Sequence, residues 1–439
     1  MLVRHPNISP SFEGDSEMNV SNSADHLAPG VCPHLARLAE LQRTLPSFPP
    51  PRDDPMSPPP VYTELRKANI LGKVRLWDGK EAWLITRYED VRAVLSDPRF
   101  SSDIRLPGYP TVSAAMKVAR GKNRTFITMD PPDHTTQRRM LTGEFSIKRV
   151  EAFRPKVREI VNLLIDKLML QEQPADLVEG LTLSTPAYAI CELLGVPYED
   201  HDFFQAQALI LTSSTASLEE AVAANDALCE KYLRQLVRHK VREPKEDILS
   251  RLVVNYVSKG ELTEDQVVSL ARLLLIAGHE TTANTTAMGV LLLLQRPSVW
   301  EELRQNPSLV PQAIEEMLRF VDVTHSGKRR VALQDVPVGG QLIRAGEAVI
   351  VLSVAANRDE GAFSAPEHFD IHREARHQVS FGYGIHQCIG QPLARMEMHV
   401  LFEALLQRMP KLRLAVPFEE LEFKTDSLMY GVKALPVAW

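Results

Sequence analysis

Cysteine is scarce in this chain, which has only four cysteines among 439 residues. They stand far apart, at Cys32, Cys191, Cys229 and Cys388, and no two of them form a Cys-x-x-Cys pair. This spacing excludes a disulfide scaffold and is typical of a protein kept in a reducing compartment. We therefore expect a cytoplasmic protein in which any functional cysteine acts alone.

Long apolar stretches and a surplus of one charge are also missing. Charged residues such as Arg4, Glu13 and Glu17 occupy the start of the chain, where a signal peptide or anchor needs apolar residues. The longest apolar region, residues 267–294, is interrupted by polar residues such as Arg272 and indicates a buried helix. The 50 basic and 56 acidic residues give a net charge of −6, so we expect no membrane span and no nucleic-acid partner.

Two regions of different composition divide the chain. Residues 1–45 are polar and mostly without periodicity, and proline clusters follow at 46–51 and 58–60. This pattern predicts a flexible N-terminal extension, residues 1–45, followed by one folded domain, residues 46–439. A domain of that size can enclose a large core, including a buried cofactor.

The folded part is predicted to be mainly α-helical with small β-sheets, an α+β arrangement. A helix is expected over residues 60–69, and Asp78-Gly79 between alternating apolar residues predicts a β-hairpin. Helical periodicity then dominates residues 87–319. A strand-rich patch is expected over 330–353, and a last long helix over 391–408.

Residues 381–390 are the most informative segment. Three glycines in ten residues form a tight loop directly before a predicted helix, so Cys388 should lie at or just before a helix N-terminus. The helix dipole and free amides there stabilise a thiolate, which can serve as a nucleophile or as a haem-iron ligand. An inert buried thiol is the alternative, and we favour it for Cys191 and Cys229. A zinc site at His386 and Cys388 would lack a second ligand pair.

The cysteine segment resembles that of the cytochrome P-450 superfamily of haem-thiolate monooxygenases. The family pattern F-x-x-G-x-[HR]-x-C-x-G is met by Phe381, Gly384, His386, Cys388 and Gly390. The resemblance extends over nearly the whole chain from Pro46 and is closest to soluble bacterial-type members. It implies the P-450 fold and a haem b whose iron is held by the Cys388 thiolate.

A second segment of the resemblance is Ala277-Gly-His-Glu-Thr-Thr, in the middle of the long apolar helix. Taken alone, Thr281 would bond back to a carbonyl one turn earlier and Glu280 would form a core ion pair. The resemblance instead implies that Gly278 lies against the oxygen-binding site. It makes Thr281 and Glu280 the catalytic residues, with Thr281 contacting dioxygen at the haem and Glu280 relaying protons from solvent.

A third segment, Glu316-Met-Leu-Arg319, matches the family's E-x-x-R motif. The i, i+3 spacing places both charges on one helical face, although surface pairs with this spacing are common. The resemblance implies a buried pair joined by Arg373, with a structural role beneath the haem.

The resemblance also assigns the contacts to the haem propionates. His134 and Arg138 lie one turn apart after Asp130-Pro-Pro-Asp and can reach one anion. Arg330 and His386 match the other propionate contacts, with Arg329 next door as an alternative to Arg330. Buried carboxylates need several paired donors, so such convergence is physically reasonable.

The implied function is insertion of one atom of O2 into a small apolar substrate by hydroxylation or epoxidation. Too little chain follows Cys388 for a fused reductase domain, so NAD(P)H would act indirectly, through a separate ferredoxin or flavodoxin and its reductase. Arg139 and Arg395 are candidate docking charges for that partner. We expect a monomer.

Two alternative functions stay open. Parts of the chain, such as Leu76-Trp-Asp-Gly, also resemble fungal cytochromes that reduce nitric oxide with NADH, and basic residues stand where the nucleotide would enter. Those residues are Lys117, Arg120, Lys122 and Arg124. Such reductases lack the acid that Glu280 supplies. A non-catalytic haem sensor is the other alternative, but it would not need the Glu280-Thr281 pair.

The substrate cannot be identified from residue types. The resemblance points to residues 101–124, 203–222, the helix near Ala277, and 321–328 as substrate contacts. They combine aliphatic residues with Ser and Thr, which indicates a mainly apolar pocket with a few polar groups. His325 is either a substrate contact or an exposed loop histidine, and the proline often found in this loop is missing.

Overall fold

The computed structural model describes residues 45–120 and 124–439, without the side chains at 119 and 120. The predicted flexible extension over residues 1–45, with Cys32, lies outside the described residues except for residue 45. Residues 46–48 already belong to the folded part, because the Phe48 backbone N–H donates to the Arg75 carbonyl and Arg75 to the Pro46 carbonyl, both at 2.9 Å.

Helices account for most of the described chain, as predicted. The first seven are α1 (Pro60–Lys67), α2 (Tyr88–Ser96), α3 (Asp133–Thr142), α4 (Ile147–Met169), α5 (Ser184–Leu194), α6 (His201–Thr212) and α7 (Leu218–Asn225). The next seven are α8 (Arg234–Arg242), α9 (Ile248–Leu252), α10 (Glu264–Leu294), α11 (Pro297–Gln305), α12 (Val310–Phe320), α13 (Ser353–Ala356) and α14 (Gln391–Arg408). Short π-helical segments lead into α5 and α8 and follow α9, at Val178–Leu183, Asp226–Leu233 and Val253–Val257.

The strands form small sheets around one larger sheet. They are β1 (Gly72–Arg75), β2 (Glu81–Ile85), β3 (Phe100–Ser101), β4 (Ala175–Asp176), β5 (Lys328–Ala332), β6 (Val336–Val338), β7 (Gln341–Ile343), β8 (Ala348–Val351), β9 (Arg413–Leu414) and β10 (Pro436–Ala438). The larger sheet has the order β1-β2-β8-β5-β3, and the others pair β4-β10-β9 and β6-β7. In the larger sheet β2 and β8 are parallel and the other pairs antiparallel.

The predicted hairpin is confirmed: β1 and β2 pair in antiparallel register, with Val74 opposite Ala82. Gly79 in the turn has a φ of +82°, a left-handed conformation that favours glycine. The predicted last helix matches α14 at both ends. The first helix ends at Lys67, two residues earlier than expected.

Helix α10 is the central element of the main core. It begins with the predicted capping box, in which the Thr263 hydroxyl accepts from the Gln266 backbone N–H and the Gln266 side chain accepts from that of Thr263. Its 31 residues span about 46 Å at about 1.5 Å per residue. Residues on nearly all sides of α10 are buried, including Leu291 and Leu292, because other helices surround it. No helix in the described ranges has the length and apolar character that crossing a membrane requires.

Candidate functional site

The cysteine loop is held in shape by glycines and one backbone hydrogen bond. Gly382 and Gly384 have φ values of +76° and +71°. A Cβ on Gly384 would lie 2.6 Å from the Leu95 carbonyl oxygen, so any side chain there would collide with backbone. The Cys388 backbone N–H donates to the Phe381 carbonyl at 2.8 Å and closes the loop. Helix α14 starts at Gln391, so Cys388 lies just before a helix N-terminus, as predicted.

The surroundings of Cys388 differ from those of the other described cysteines. Its side chain is exposed, whereas Cys191 and Cys229 are buried. Enclosing protein nevertheless raises the pKa of the Cys388 thiol, while the Gly390 backbone amide and the Arg138 and Lys328 charges lower it. The thiol therefore has accessible surface although protein atoms surround it closely. Burial raises the thiol pKa of Cys191 to about 12 and that of Cys229 to about 11, which fits the inert role expected of them.

The residues predicted to bind propionates lie together beside this loop. Arg138 Nη2 donates to the Gln387 carbonyl at 2.6 Å, next to Cys388. The rings of His134 and His386 have centroids 4.3 Å apart, although the two residues come from α3 and the cysteine loop. Arg330 is buried, with 5% of its surface exposed. The structure therefore brings together cationic and imidazole groups from three distant parts of the sequence.

These groups have few partners within the described part of the chain. Both ring nitrogens of His134 and Nδ1 of His386 are buried without a hydrogen bond. Arg330 Nη1 donates to the Arg329 carbonyl at 2.8 Å and no ion pair of Arg330 is formed with a described carboxylate. Burial, followed by the charges of Arg330, His134 and Arg138, lowers the pKa of His386 to about 2. Crowded cations without counter-ions fit a bound dianion, and the two carboxylates of a haem would supply those charges.

Strand β5 distinguishes Arg330 from its neighbour Arg329. Successive strand residues face opposite sides of a sheet, so Arg330 shares a face with Lys328 and Arg329 faces the other way. Arg330 and Lys328 both lie close enough to the site to be influenced by its charges. This geometry favours Arg330 for the propionate contact over Arg329.

In the middle of α10, two residues one helical turn apart keep accessible surface. Ala277 is exposed and Thr281 half-buried, although the helix runs through the core. The Thr281 hydroxyl donates to the Ala277 carbonyl at 2.7 Å, which is the local hydrogen bond that the sequence offered as an alternative. A Cβ on Gly278 would lie 3.2 Å from Ile190 Cδ1, so this glycine allows α5 to approach α10 closely.

Glu280 lies beside Thr281 in sequence but faces a different side of the helix. It is buried, and neither carboxylate oxygen has a hydrogen-bond partner among the described residues. Desolvation raises the pKa of Glu280, and the Lys424 charge opposes that rise. Glu280 and Lys424 line a groove of about 500 Å³ that also includes Asp426 and Lys433. Glu280 therefore does not form the expected core ion pair at contact distance with a described residue. The cation that acts on it, Lys424, lines the same groove.

Lys424 was not predicted from the sequence. Its Nζ donates to Asn284 Oδ1 at 2.9 Å, and Asn284 lies one helical turn after Glu280. A Cβ on Gly431 would lie 2.6 Å from that Oδ1. The C-terminal loop, residues 424–431, therefore approaches α10 closely. The available signal was a buried Asn at i+4 from Glu280, but nothing in the sequence links it to residue 424.

The E-x-x-R motif forms the predicted buried pair. Arg319 Nε and Nη2 each lie 2.7 Å from a Glu316 oxygen, and both side chains are fully buried. Arg373 joins the pair, with Nε 3.2 Å from Glu316 Oε1. Arg319 also donates to the carbonyls of Asn357 and Pro366, at 2.7 and 2.8 Å. The motif thus holds the segment 357–373 at both of its ends and at Pro366.

The expectation for His325 is wrong in part. The residue is buried rather than exposed, and its Nε2 lies 2.6 Å from the Ser427 carbonyl oxygen. Burial lowers its pKa to about 4. Ser427 also forms a β-bridge with Ser213, after α6. The C-terminal loop therefore joins two of the predicted substrate-contact regions, which residue types alone did not indicate.

The candidate docking and nucleotide residues have mixed surroundings. Arg395 bonds Glu315, with Nε 2.5 Å from Oε1, so its charge is already compensated, whereas Arg139 is exposed. Lys117 lies over the Trp77 ring at 4.7 Å, and Arg124 lies 3.7 Å from Asp103. The side chain of Arg120 and all of Lys122 lie outside the described residues.

Comparison with known proteins agrees with this arrangement. The family model described as Cytochrome P450 matches residues 201–419. The chain is 47% identical to Cytochrome P450-SU2 of Streptomyces griseolus, over 88% of this chain and 94% of the relative. It is 43% identical to the 20-oxo-5-O-mycaminosyltylactone 23-monooxygenase of Streptomyces fradiae, over 90% and 92% of the two chains.

Solved structures share the fold. The mycinamicin VIII C21 methyl hydroxylase of Micromonospora griseorubida superposes with a TM-score of 0.85 at 41% identity, covering 90% of this chain and all of the other. The mainly helical fold predicted from the sequence is thereby confirmed. With identities above 40% over most of its length, the chain belongs to the cytochrome P450 family and is a haem b monooxygenase that receives electrons from NAD(P)H through redox partners.

Proposed function

We propose that the Cys388 thiolate would hold the haem iron in this monooxygenase. When bound, the haem supplies the oxidising chemistry, and the thiolate donates electron density that favours cleavage of the O–O bond. The observation that carries this proposal is the convergence of an accessible cysteine, just before a helix N-terminus, with the two histidines His134 and His386. Among the described residues, neither ring nitrogen of the buried His134 has a hydrogen-bond partner, nor does Nδ1 of the half-buried His386. Phe381 and Gly384 keep the loop in shape on the side of the thiolate. His134, Arg138, Arg330 and His386 would hold the haem carboxylates.

Exchange of the ligand tests this assignment. In Cys388→Ser the ferrous carbon monoxide complex is expected to lose the thiolate-type Soret band, because an alcohol is a far weaker donor. Cys191→Ser is the matched control, since Cys191 is buried in the core and should leave the band in place. An unchanged band in Cys388→Ser would assign the ligand elsewhere.

Glu280 and Thr281 form the proposed proton path. The groove beside Glu280 opens to solvent, and Thr281 lies one turn after the exposed Ala277. A carboxyl group whose pKa is raised by burial holds and releases a proton more readily near neutral pH. Glu280 would take protons from the groove and pass them across α10, and Thr281 would hold the donor in place.

The proposed substrate is a large, mainly apolar molecule. Named relatives act on 20-oxo-5-O-mycaminosyltylactone, mycinamicin VIII and vitamin D3, which are all bulky and mostly apolar. The apolar residues around the exposed Ala277 suit such a ligand. A spectral titration with macrolides, sterols and fatty acids of graded size tests this class. Tight binding of only small fatty acids would contradict it.

The proposed partner is a separate ferredoxin or flavodoxin with its reductase, which docks at exposed basic residues including Arg139. Such carriers and NAD(P)H are cytoplasmic, and we infer the same compartment for this chain, as a monomer. Arg139→Glu is expected to slow the first electron transfer several-fold in a salt-dependent way, because a docking charge acts chiefly on the rate of association. Equal rates at low ionic strength would remove Arg139 from the docking site. Addition of NADH alone to the ferric nitric oxide complex is expected to give no rapid reduction.

A further inference from the structure

Lys328 is a half-buried cation that no sequence motif singled out. It is the first residue of β5, and its ammonium donates to three oxygens. Nζ lies 3.0 Å from Thr324 Oγ1 and 3.1 Å from the Ser380 carbonyl oxygen, and it also bonds the Ser353 hydroxyl. All three donors of the ammonium are therefore occupied, and the group is fixed in position.

The charge of Lys328 has no carboxylate within ion-pair distance in the described ranges. The charge of Asp322 acts on Lys328 without a direct contact. The Thr324 hydroxyl, which accepts from Lys328, donates to Asp322 Oδ1 at 2.5 Å. Burial of a charge among neutral oxygens is costly. An additional negative group close to Lys328 would offset that cost.

The cysteine loop supplies such a group. Ser380, which accepts from Lys328, directly precedes Phe381, whose carbonyl accepts from the Cys388 backbone N–H. A Cβ built on Gly382 would lie 3.8 Å from Lys328 Cε and 4.0 Å from Gln387 Cα. The lysine stem and the residue before Cys388 thus flank the same glycine. The Cys388 thiolate, one residue after Gln387, would supply the negative group.

We propose that Lys328 is a positioning residue for the cysteine ligand, which fixes the start of its loop at Ser380 and places a positive charge next to the segment that carries Cys388. The inference rests on the proposed axial role of Cys388. A fixed positive charge in a buried site favours the state with one more electron. The Lys328 charge should therefore raise the reduction potential of the bound haem and make reduction by the partner easier.

Two substitutions separate the charge from the hydrogen bonds. Lys328→Gln keeps polar donors but removes the charge, and Lys328→Met removes both. Lys67→Gln is the matched control, because it makes the same charge change on a side chain that is 60% exposed. Redox titration of the purified holoenzyme should give a lower potential in both Lys328 variants and the wild-type potential in Lys67→Gln. Lys328→Met should also lose haem faster to an acceptor such as apomyoglobin.

The outcomes are distinct. A wild-type potential in Lys328→Gln would overturn the proposal, whatever Lys328→Met does, because it would reduce Lys328 to a hydrogen-bonding anchor. If Lys328→Met does not fold, Lys328→Gln decides alone. Failure of the axial assignment appears elsewhere, as a thiolate-type Soret band that survives Cys388→Ser. The potential of the Lys328 variants does not enter that result.

Discussion

Glu280 and Thr281 are adjacent, yet they face different surroundings. Glu280 lines a groove that opens to solvent, whereas Thr281 lies one turn after the exposed Ala277 and does not line that groove. Adjacent helical residues point about 100° apart, so two neighbours can serve two sides of one helix. The hydroxyl of Thr281 is engaged with the Ala277 carbonyl in this structure, and a role in proton delivery requires that it also contact the oxygen site.

Removal of the Thr281 hydroxyl tests that role. In Thr281→Ala the product formed per NAD(P)H consumed is expected to fall by about tenfold or more, with peroxide released instead, because proton transfer by a positioned group is lost. Product, peroxide and NAD(P)H consumption are measured together with a competent ferredoxin and reductase. Thr286→Ala is the control, since its hydroxyl makes the same bond one turn back, to Thr282, at 2.7 Å. Unchanged coupling in Thr281→Ala would locate proton delivery elsewhere.

Glu397 is a second buried acid that leads to a pH prediction. It is 2% exposed, its Oε2 has no hydrogen-bond partner among the residues that the structure describes, and burial raises its pKa to about 8. Between the unfolded value near 4.5 and this folded value, only the folded state holds the proton, so stability should fall as pH rises. We expect a loss on the order of 2 kcal/mol between about pH 6 and about pH 8. Thermal unfolding of Glu397→Gln should lack this component, whereas the exposed Glu374→Gln should retain it.

At the scale of elements, the same i, i+3 spacing has different consequences in α11 and α12. Glu301 and Arg304 in α11 form an exposed pair, while Glu316 and Arg319 in α12 are fully buried and tie α12 to residues 357–373. Exposed pairs contribute about 0–1 kcal/mol, but loss of one partner of a buried pair costs about 3–5 kcal/mol. Position in the fold, not spacing, determines the importance of the motif.

We therefore predict that Arg319→Leu abolishes folded holoenzyme or lowers its stability by about 3–5 kcal/mol, since the buried Glu316 would lose its two-bond partner and keep only the single contact with Arg373. Arg304→Leu should change stability by less than about 1 kcal/mol. Haem content and thermal unfolding of the two variants provide the comparison. Similar stabilities would mean that Glu316 finds compensation from Arg373 alone.

Local patterns predicted the elements well, because their causes are local. The start of α14 follows from Gly390 at the N-cap and Pro392 in the first turn, and the start of α10 follows from the Thr263 capping box. Contacts between distant segments could not be predicted from residue types. Lys424 reaches Asn284 across 140 positions, and Lys328 meets Ser380 across 52. The propionate residues came from family resemblance, and their convergence is visible only in the fold.

At the scale of the whole molecule, the C-terminal loop packs beside α10 and connects two segments that are distant in sequence. The Ser214 backbone N–H donates to the Asp426 carbonyl, and Leu428 donates to Thr212, both at 2.8 Å. On the other side Tyr430 donates to the Val323 carbonyl at 2.9 Å. Backbone hydrogen bonds thus join the C-terminal loop to residues 212–214, at the end of α6, and to Val323, before β5.

The N-terminal extension offers the matching prediction for the whole chain. Because the Pro46 carbonyl and Phe48 amide already bond Arg75, we propose that residues 46–439 form the complete haem domain. Deletion of residues 2–44 should leave the thermal midpoint and the carbon monoxide spectrum within error of the full chain. Deletion of residues 2–50 should lower the midpoint, as it removes these bonds and the buried Phe48. A large effect of the shorter deletion would assign the extension to the domain.

The order of strands in the larger sheet also constrains how the chain matures during synthesis. Strands β1 and β2 are made early, but β8 and β5, which complete the sheet beside them, follow only at residues 328–351. At about 5–20 residues per second on the ribosome, this gap lasts on the order of tens of seconds. The nascent hairpin must remain unpaired along one edge during that time, and such edges are prone to aggregation. The yield of folded enzyme in an expression host should therefore respond more to chaperone supply and to a lower growth temperature than to the stability of the finished enzyme.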